Sequence, residues 1–179
     1  VGAKNDAARI PGIDVQVEEG DIFEFGSQRA KVYEVPGHTV GHIAYWFEES
    51  DALFCGDTLF ALGCGRLFEG TPAQMWDSIG KFRALPDDTK VYCAHEYAEA
   101  NGRFALSVDP KNAALKQRFN EILELRKKKL PTVPSTLGEE KQTNPFMRAD
   151  DPGLQTELAL LGADPVEVFA ETRRRKDNF

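Results

Sequence analysis

Up to about Ala94 the apolar residues fall in short runs rich in β-branched and aromatic side chains: "DIFEF", "AKVYEV", "HIAYWF", "ALFCG" and "KVYCA". Runs of this kind, separated by turn residues, predict strands. The separators are Gly26-Ser27, Pro36-Gly37, Glu49-Ser50-Asp51 and Pro86-Asp87-Asp88. "HIAYWF" and "ALFCG" are apolar nearly throughout, which predicts a sheet covered on both faces. One helix interrupts the strands, with Thr71 as its N-cap and Pro72 at its first position. Met75, Trp76, Ile79 and Phe82 recur at helical spacing and predict a face buried in the core.

After Ala94 the period changes. "NAALKQRFNEILELRKKK" places Leu115, Phe119, Ile122, Leu123 and Leu125 toward one side and ends in a basic turn, as the helix dipole favours. "PTVPS" stops it, and further short helices are predicted near Gln155 to Leu161 and Pro165 to Arg175. The expected architecture is a layered α/β or α+β unit over residues 1–95, followed by a helical subdomain over 96–179.

Composition narrows the function. The 179 residues carry a net charge of −7, which argues against nucleic acid or an anionic membrane as a general partner. No apolar run approaches the roughly 18 residues needed to span a bilayer. Cys55, Cys64 and Cys93 form an odd set with no C-x-x-C pair, the pattern of reduced thiols in the cytoplasm. We read them as small buried apolar residues and not as nucleophiles. "VGAKNDAARIPGID" has no initiator Met and reads as a loop already in progress.

Candidate chemistry sits at strand ends. His38 follows "VYEVPG", Asp57 ends "ALFCGD" and His95 ends "KVYCAH"; His38, His42 and His95 are all the histidines in the chain. Two imidazoles and a carboxylate delivered to one sheet edge would suit a metal site. Each alone is more often a surface, cap or turn residue, and the three taken together leave both readings open.

The segments "PGHTVGHI", "FCGDTLFALGCGRLFEGT", "YCAHEY", "TVPSTLGEEKQTNPFMR" and the terminal "RRRKDNF" resemble, in that order, the glyoxalase II family. These are the hydroxyacylglutathione hydrolases of the metallo-β-lactamase superfamily. The resemblance implies the C-terminal part of an αββα sandwich followed by a helical glutathione-binding domain. It implies hydrolysis of S-(2-hydroxyacyl)glutathione thioesters, D-lactoylglutathione giving D-lactate and glutathione, by a hydroxide held between two divalent ions. Zinc is expected ahead of iron or manganese.

Carried onto this chain, the metal ligands are His38, Asp57 and His95, with Asp57 shared by both ions and catalytic in that sense. His42 is not a ligand in the family pattern and is expected to support the site or pack in the strand. Substrate contacts fall on Arg66, Phe68, Tyr97, Arg173 and Lys176. Some relatives have Lys and Tyr where this chain has Arg66 and Phe68. On residues alone "RRRK" is also a solvated helix end; its functional reading rests on charge, since glutathione carries two carboxylates and an acidic protein needs a local cationic clamp.

The family's remaining ligands come from a T-H-x-H-x-D-H motif that is absent here. The chain is therefore expected to be the C-terminal part of the enzyme. Alone, it is expected to hold metal weakly or not at all, and to leave part of its sheet to be covered by self-association or by an upstream piece. Two other readings accompany this one: a mononuclear iron persulfide dioxygenase of the same superfamily, and a non-catalytic glutathione-binding fragment.

Overall fold

The computed structural model describes residues 1–179. Its strands are β1 (Gly2–Ala3), β2 (Gln16–Val17), β3 (Ile22–Phe25), β4 (Gln28–Glu34), β5 (Ile43–Phe47), β6 (Ala52–Gly56), β7 (Leu59–Phe60), β8 (Gly63–Cys64), β9 (Lys90–Cys93) and β10 (Ser135–Thr136). Its helices are α1 (Pro72–Arg83), α2 (Ala98–Val108), α3 (Ala113–Lys127), α4 (Leu137–Thr143), α5 (Pro152–Glu157) and α6 (Pro165–Asp177). The five predicted runs supply five strands of one six-stranded sheet, ordered β10-β9-β6-β5-β4-β3. Strands β3 to β6 form an antiparallel meander, and β9 returns parallel to β6 by way of α1.

Local chemistry explains the helix that sequence predicts best. Thr71 accepts from the Gln74 N–H while the Gln74 side chain accepts from the Thr71 N–H, a reciprocal capping box, and Pro72 follows at N1. Met75, Ile79 and Phe82 are buried, and Trp76 packs partly buried beside them. The α3 register is also as expected, with Leu115, Phe119 and Ile122 buried and Leu123 and Leu125 at the margin.

Besides the two-residue strands β1, β2, β7, β8 and β10, which were not predicted, the sequence reading differs from the structure at four places. Helix α5 begins at Pro152 and ends at Glu157, earlier than predicted, because Asp151 caps it by accepting from Leu154 N–H. Helix α4 was not predicted, although Thr136 and Glu139 form a capping box at its start. Helix α2 was not predicted either: its N-cap, Tyr97, makes no side-chain cap, and Gly102 interrupts its apolar pattern. That glycine is required by packing, since a Cβ there would lie 2.2 Å from the Phe119 ring.

The fourth difference concerns the sheet. One face, with Tyr33, Ala44, Leu53, Cys55 and Val91, is buried in a 22-residue core shared with α1, α2, α4, α5 and α6. The other face is not fully covered. Phe23, Tyr45, Phe47, Phe54 and Tyr92 line it as an aromatic layer, with Phe54 stacked on Tyr92 at 4.9 Å and still 45% exposed. The apolar run in β6 thus reflects two different environments. Leu53 and Cys55 face packed helices, whereas Phe54 faces its aromatic neighbours and solvent. No helix is long and apolar enough to cross a membrane.

The sheet and the helices share one interior. Strand β10 comes from the segment between α3 and α4 yet pairs with β9, and Leu137 follows it into the core.

Candidate active site

Strands β6 and β9 end side by side, with Gly56 paired to Cys93 after a register irregularity beyond Phe54. Such an irregularity re-aims the residues that follow it. Gly56 has φ +53°, and a Cβ on it would lie 2.6 Å from His42 Nε2. Glycine therefore lets His42 approach the backbone, where its Nε2 accepts a hydrogen bond from the Asp57 N–H at 3.0 Å. Burial and the neighbouring His38 push the His42 pKa down, which favours the neutral ring this acceptor role requires. His42 supports the backbone of Asp57 and packs edge-on against the His38 ring, centroids 5.8 Å apart.

Asp57 lies between the other two histidines. His38 Nε2 is 3.6 Å from Asp57 Oδ2 and His95 Nε2 is 3.3 Å from Asp57 Oδ1. His38 Nδ1 donates to the Arg66 carbonyl at 2.9 Å, so in the neutral ring the Nε2 lone pair is directed at the carboxylate. Asp57 Oδ1 is buried without a hydrogen-bond donor. Acceptors facing acceptors are unfavourable unless a cation comes between them. The three side chains do not close into a compact coordination cluster. They instead flank one carboxylate, an imidazole on each oxygen, a donor set suited to divalent metal.

From these residues a cavity of 510 Å³ extends toward the helices. His38, Asp57 and His95 line it together with Arg66, Phe68, Tyr97, Arg173 and Lys176, so every site residue read from the sequence borders one space. Its near wall is aromatic: Tyr97 stacks on His95 at 4.9 Å and 20°, and Phe68 packs against His38 at 5.0 Å. Phe60 and Asn101 also line it and were not singled out in the sequence. Phe60 lay inside a quoted motif, and Asn101 sits on α2, the helix without a cap signal.

The loop after β8 approaches the site closely. A Cβ on Gly65 would stand 2.0 Å from the Asp57 carbonyl oxygen and 3.1 Å from His38 Nδ1, so only glycine fits. Cys64 is buried beside it, and burial pushes its thiol pKa up to about 11 despite the nearby Arg173. Burial likewise raises Cys55 and Cys93, in keeping with three apolar thiols.

The cations divide into two kinds. Arg174 and Arg175 pair with Glu171 and are the helix-end residues of the plain reading. Arg173 and Lys176 turn inward. Arg173 is 5% exposed and already engaged: Nη1 donates to the Cys64 carbonyl at 3.1 Å, while Nε and Nη2 lie 3.0 and 2.8 Å from Asp177 Oδ1. It fastens the loop that carries Arg66. Lys176 has no carboxylate ion pair; its Nζ lies over the rings of Phe104 and Phe179 and donates to the Ala100 carbonyl. Burial, then repulsion from Arg173 and Arg66, pushes its pKa down, with Asp177 acting the other way.

Comparison with known proteins agrees with this geometry. Residues 96–179 match the family described as hydroxyacylglutathione hydrolase C-terminus, and residues 2–95 match the metallo-beta-lactamase superfamily. Hydroxyacylglutathione hydrolases of Methylococcus capsulatus and Rhodospirillum rubrum are each 58% identical to this chain, covering 100% of it and 70% of their own length. Among solved structures, ETHE1 from Myxococcus xanthus superposes with a TM-score of 0.55 at 24% identity, covering 98% of this chain and 62% of that one. TTHA1623, crystallised in a di-iron-bound form, does so with a TM-score of 0.50 at 27% identity, covering 76% and 50%. The superfamily is one of divalent-metal proteins. By the match along its whole length, the chain belongs to the hydroxyacylglutathione hydrolases, the glyoxalase II thioester hydrolases of the metallo-β-lactamase superfamily.

Proposed function

We propose that this cavity binds the glutathione part of S-(2-hydroxyacyl)glutathione, D-lactoylglutathione foremost, and presents its thioester to metal held by His38, Asp57 and His95. The observation that carries the reading is the half-buried Asp57 carboxylate, whose Oδ1 is shielded from solvent without a hydrogen-bond donor and which has an imidazole nitrogen facing each oxygen, at the mouth of a cationic pocket. Divalent metal there, zinc ahead of iron or manganese, supplies Lewis acidity and activates water near neutral pH. The chain's own residues do the rest. Asp57 would hold the metal together with His38 and His95, His38 is oriented through its Nδ1–H on the Arg66 carbonyl, and Phe68 and Tyr97 pack against the His38 and His95 rings and keep them in place. The leaving group is a thiolate, stable without a strong general acid, and Asp57 is the one carboxylate that lines the cavity.

Lys176 and the exposed Arg66, whose Nε stands 3.9 Å from Asp177 Oδ1, are the cations offered to a glutathione carboxylate, with Arg173 holding the loop that carries Arg66. The C-terminal family match favours this thioester reading over a dioxygenase. We further propose a metal-bearing unit over 1–95 and a substrate-binding unit over 96–179, and a reducing, cytoplasmic setting consistent with three free thiols.

The test is a pair of variants in the active enzyme. Lys176→Ala is expected to raise KM about tenfold to a hundredfold with kcat little changed, because a charge-assisted hydrogen bond is worth about 1.5–3 kcal/mol and lies far from the reacting carbonyl. Arg173→Ala should raise KM too but also lower thermal stability, since it strips partners from Cys64 and Asp177. An unaltered KM for Lys176→Ala at low salt would remove the clamp from the account.

A further inference from the structure

The short hairpin β7–β8 links the metal side of the site to the substrate side. It starts two residues after Asp57 and ends at Cys64, just before Gly65 and Arg66. The Phe60 ring packs against His95 at 6.0 Å and Tyr97 at 5.4 Å. Its turn, Ala61-Leu62, is buried, and Leu62 takes the left-handed φ of +59°, a strained state for a residue with a Cβ. A buried turn must find partners for its backbone groups within the protein.

Those partners come from α2, α4 and the residue after α4. The Leu62 N–H donates to Glu140 Oε2 at 3.0 Å. Asn144 Nδ2 donates to the Phe60 and Gly63 carbonyls at 3.2 and 3.0 Å, and to Glu140 Oε2 at 3.0 Å. Asn101 Nδ2 donates to the Ala61 carbonyl at 3.1 Å. Glu140 is fully buried, and its other oxygen pairs with Arg118, which also donates to Thr143 Oγ1. A charge this deep is tolerated only when paired and hydrogen-bonded, and here both its oxygens are engaged.

We infer that Glu140 is a positioning residue for the thioesterase reaction: its buried carboxylate, balanced by Arg118, holds the Leu62 amide and so fixes the hairpin that sets Asp57 against the Arg66 loop. The inference rests on the function proposed above. A purely structural ion pair would add stability without governing the hairpin, so the two roles separate when charge is removed from both partners at once.

The experiment compares two charge-neutral double variants of the active enzyme. Arg118→Gln with Glu140→Gln keeps an acceptor for the Leu62 amide; Arg118→Met with Glu140→Met removes it, and such apolar replacements of buried pairs commonly fold well. Thermal melts establish that both are folded. Hydrogen exchange over residues 59–66, metal per chain, and kcat and KM for D-lactoylglutathione are then measured. The Gln pair is expected to keep exchange protection, with kcat within about threefold of wild type. The Met pair is expected to lose protection at Leu62 and lose kcat on the order of tenfold to a hundredfold, the scale of a misplacement near 1 Å. Protection retained in the Met pair, or protection lost with kcat intact, overturns the inference; if the Met pair does not fold, Asn144→Leu offers the same comparison through the Phe60 and Gly63 carbonyls. Wild-type enzyme that leaves the thioester intact overturns the proposed function instead, while the exchange data still report on the hairpin.

Discussion

Asp57→Asn is expected to lower kcat on the order of 10²–10³-fold, the scale seen when one preorganised transition-state partner is removed. The substitution is nearly isosteric, and the backbone N–H that Asp57 donates to His42 is untouched, so the fold should persist. What changes is charge and acceptor number. The carboxylate now flanked by His38 and His95 becomes an amide, whose NH2 can donate to an imidazole lone pair and fill the place a cation needs. Asp57 pairs with the two imidazoles and with neither Lys176 nor the Arg66 guanidinium, so KM should move by no more than about threefold. Steady-state kinetics with metal analysis on the same samples decides it. Full metal occupancy with an unchanged kcat would sink the role assigned to Asp57.

The second large effect concerns residues 1–179 expressed by themselves. They are expected to hold less than one tightly bound divalent ion per chain and to leave D-lactoylglutathione intact. His38, Asp57 and His95 are the donors gathered at the site, and His42 is committed to the Asp57 amide. If Asp57 serves two ions, each ion keeps two protein ligands, whereas catalytic zinc typically keeps three. The aromatic layer of Tyr45, Phe54 and Tyr92 also leaves apolar surface in solvent, Phe54 being 45% exposed. Metal per chain, turnover and mass spectrometry on one purified sample test this together. Near two ions per chain with substantial turnover, and no second polypeptide present, would contradict it.

Much of the fold could be read because its local signals agree with its packing. Strands β3 to β6 and β9 are bounded by turn residues, and α1 carries a capping box, a Pro at N1 and a buried face in register. Helix α2 escaped notice because its stability is tertiary: it has no cap, and Gly102 is explained only by the Phe119 ring from α3. The site residues were found through motif resemblance, and their mutual approach could not be. No spacing rule brings His38, Asp57 and His95 onto one carboxylate, because β5, α1 and β9 must first be placed. Arg173 and Arg174 look alike in "RRRK", yet one is buried against the Cys64 carbonyl and the other is a solvated partner of Glu171. The Glu140 network joins residues about eighty positions apart and is invisible until the chain is folded.

The central claim is that one cavity couples a thioester-cleaving centre to a cationic glutathione clamp. Its most direct measurement is the ratio of kcat/KM for D-lactoylglutathione to that for the D-lactoyl thioester of N-acetylcysteamine, which has the same reacting bond and neither glutathione carboxylate. In the active enzyme the account predicts a ratio on the order of a hundred or more, from two charge-assisted contacts, falling toward unity in the Arg66→Ala, Lys176→Ala double variant. Equal rates for the two thioesters in the wild type, or a ratio unmoved by the double variant, would contradict it.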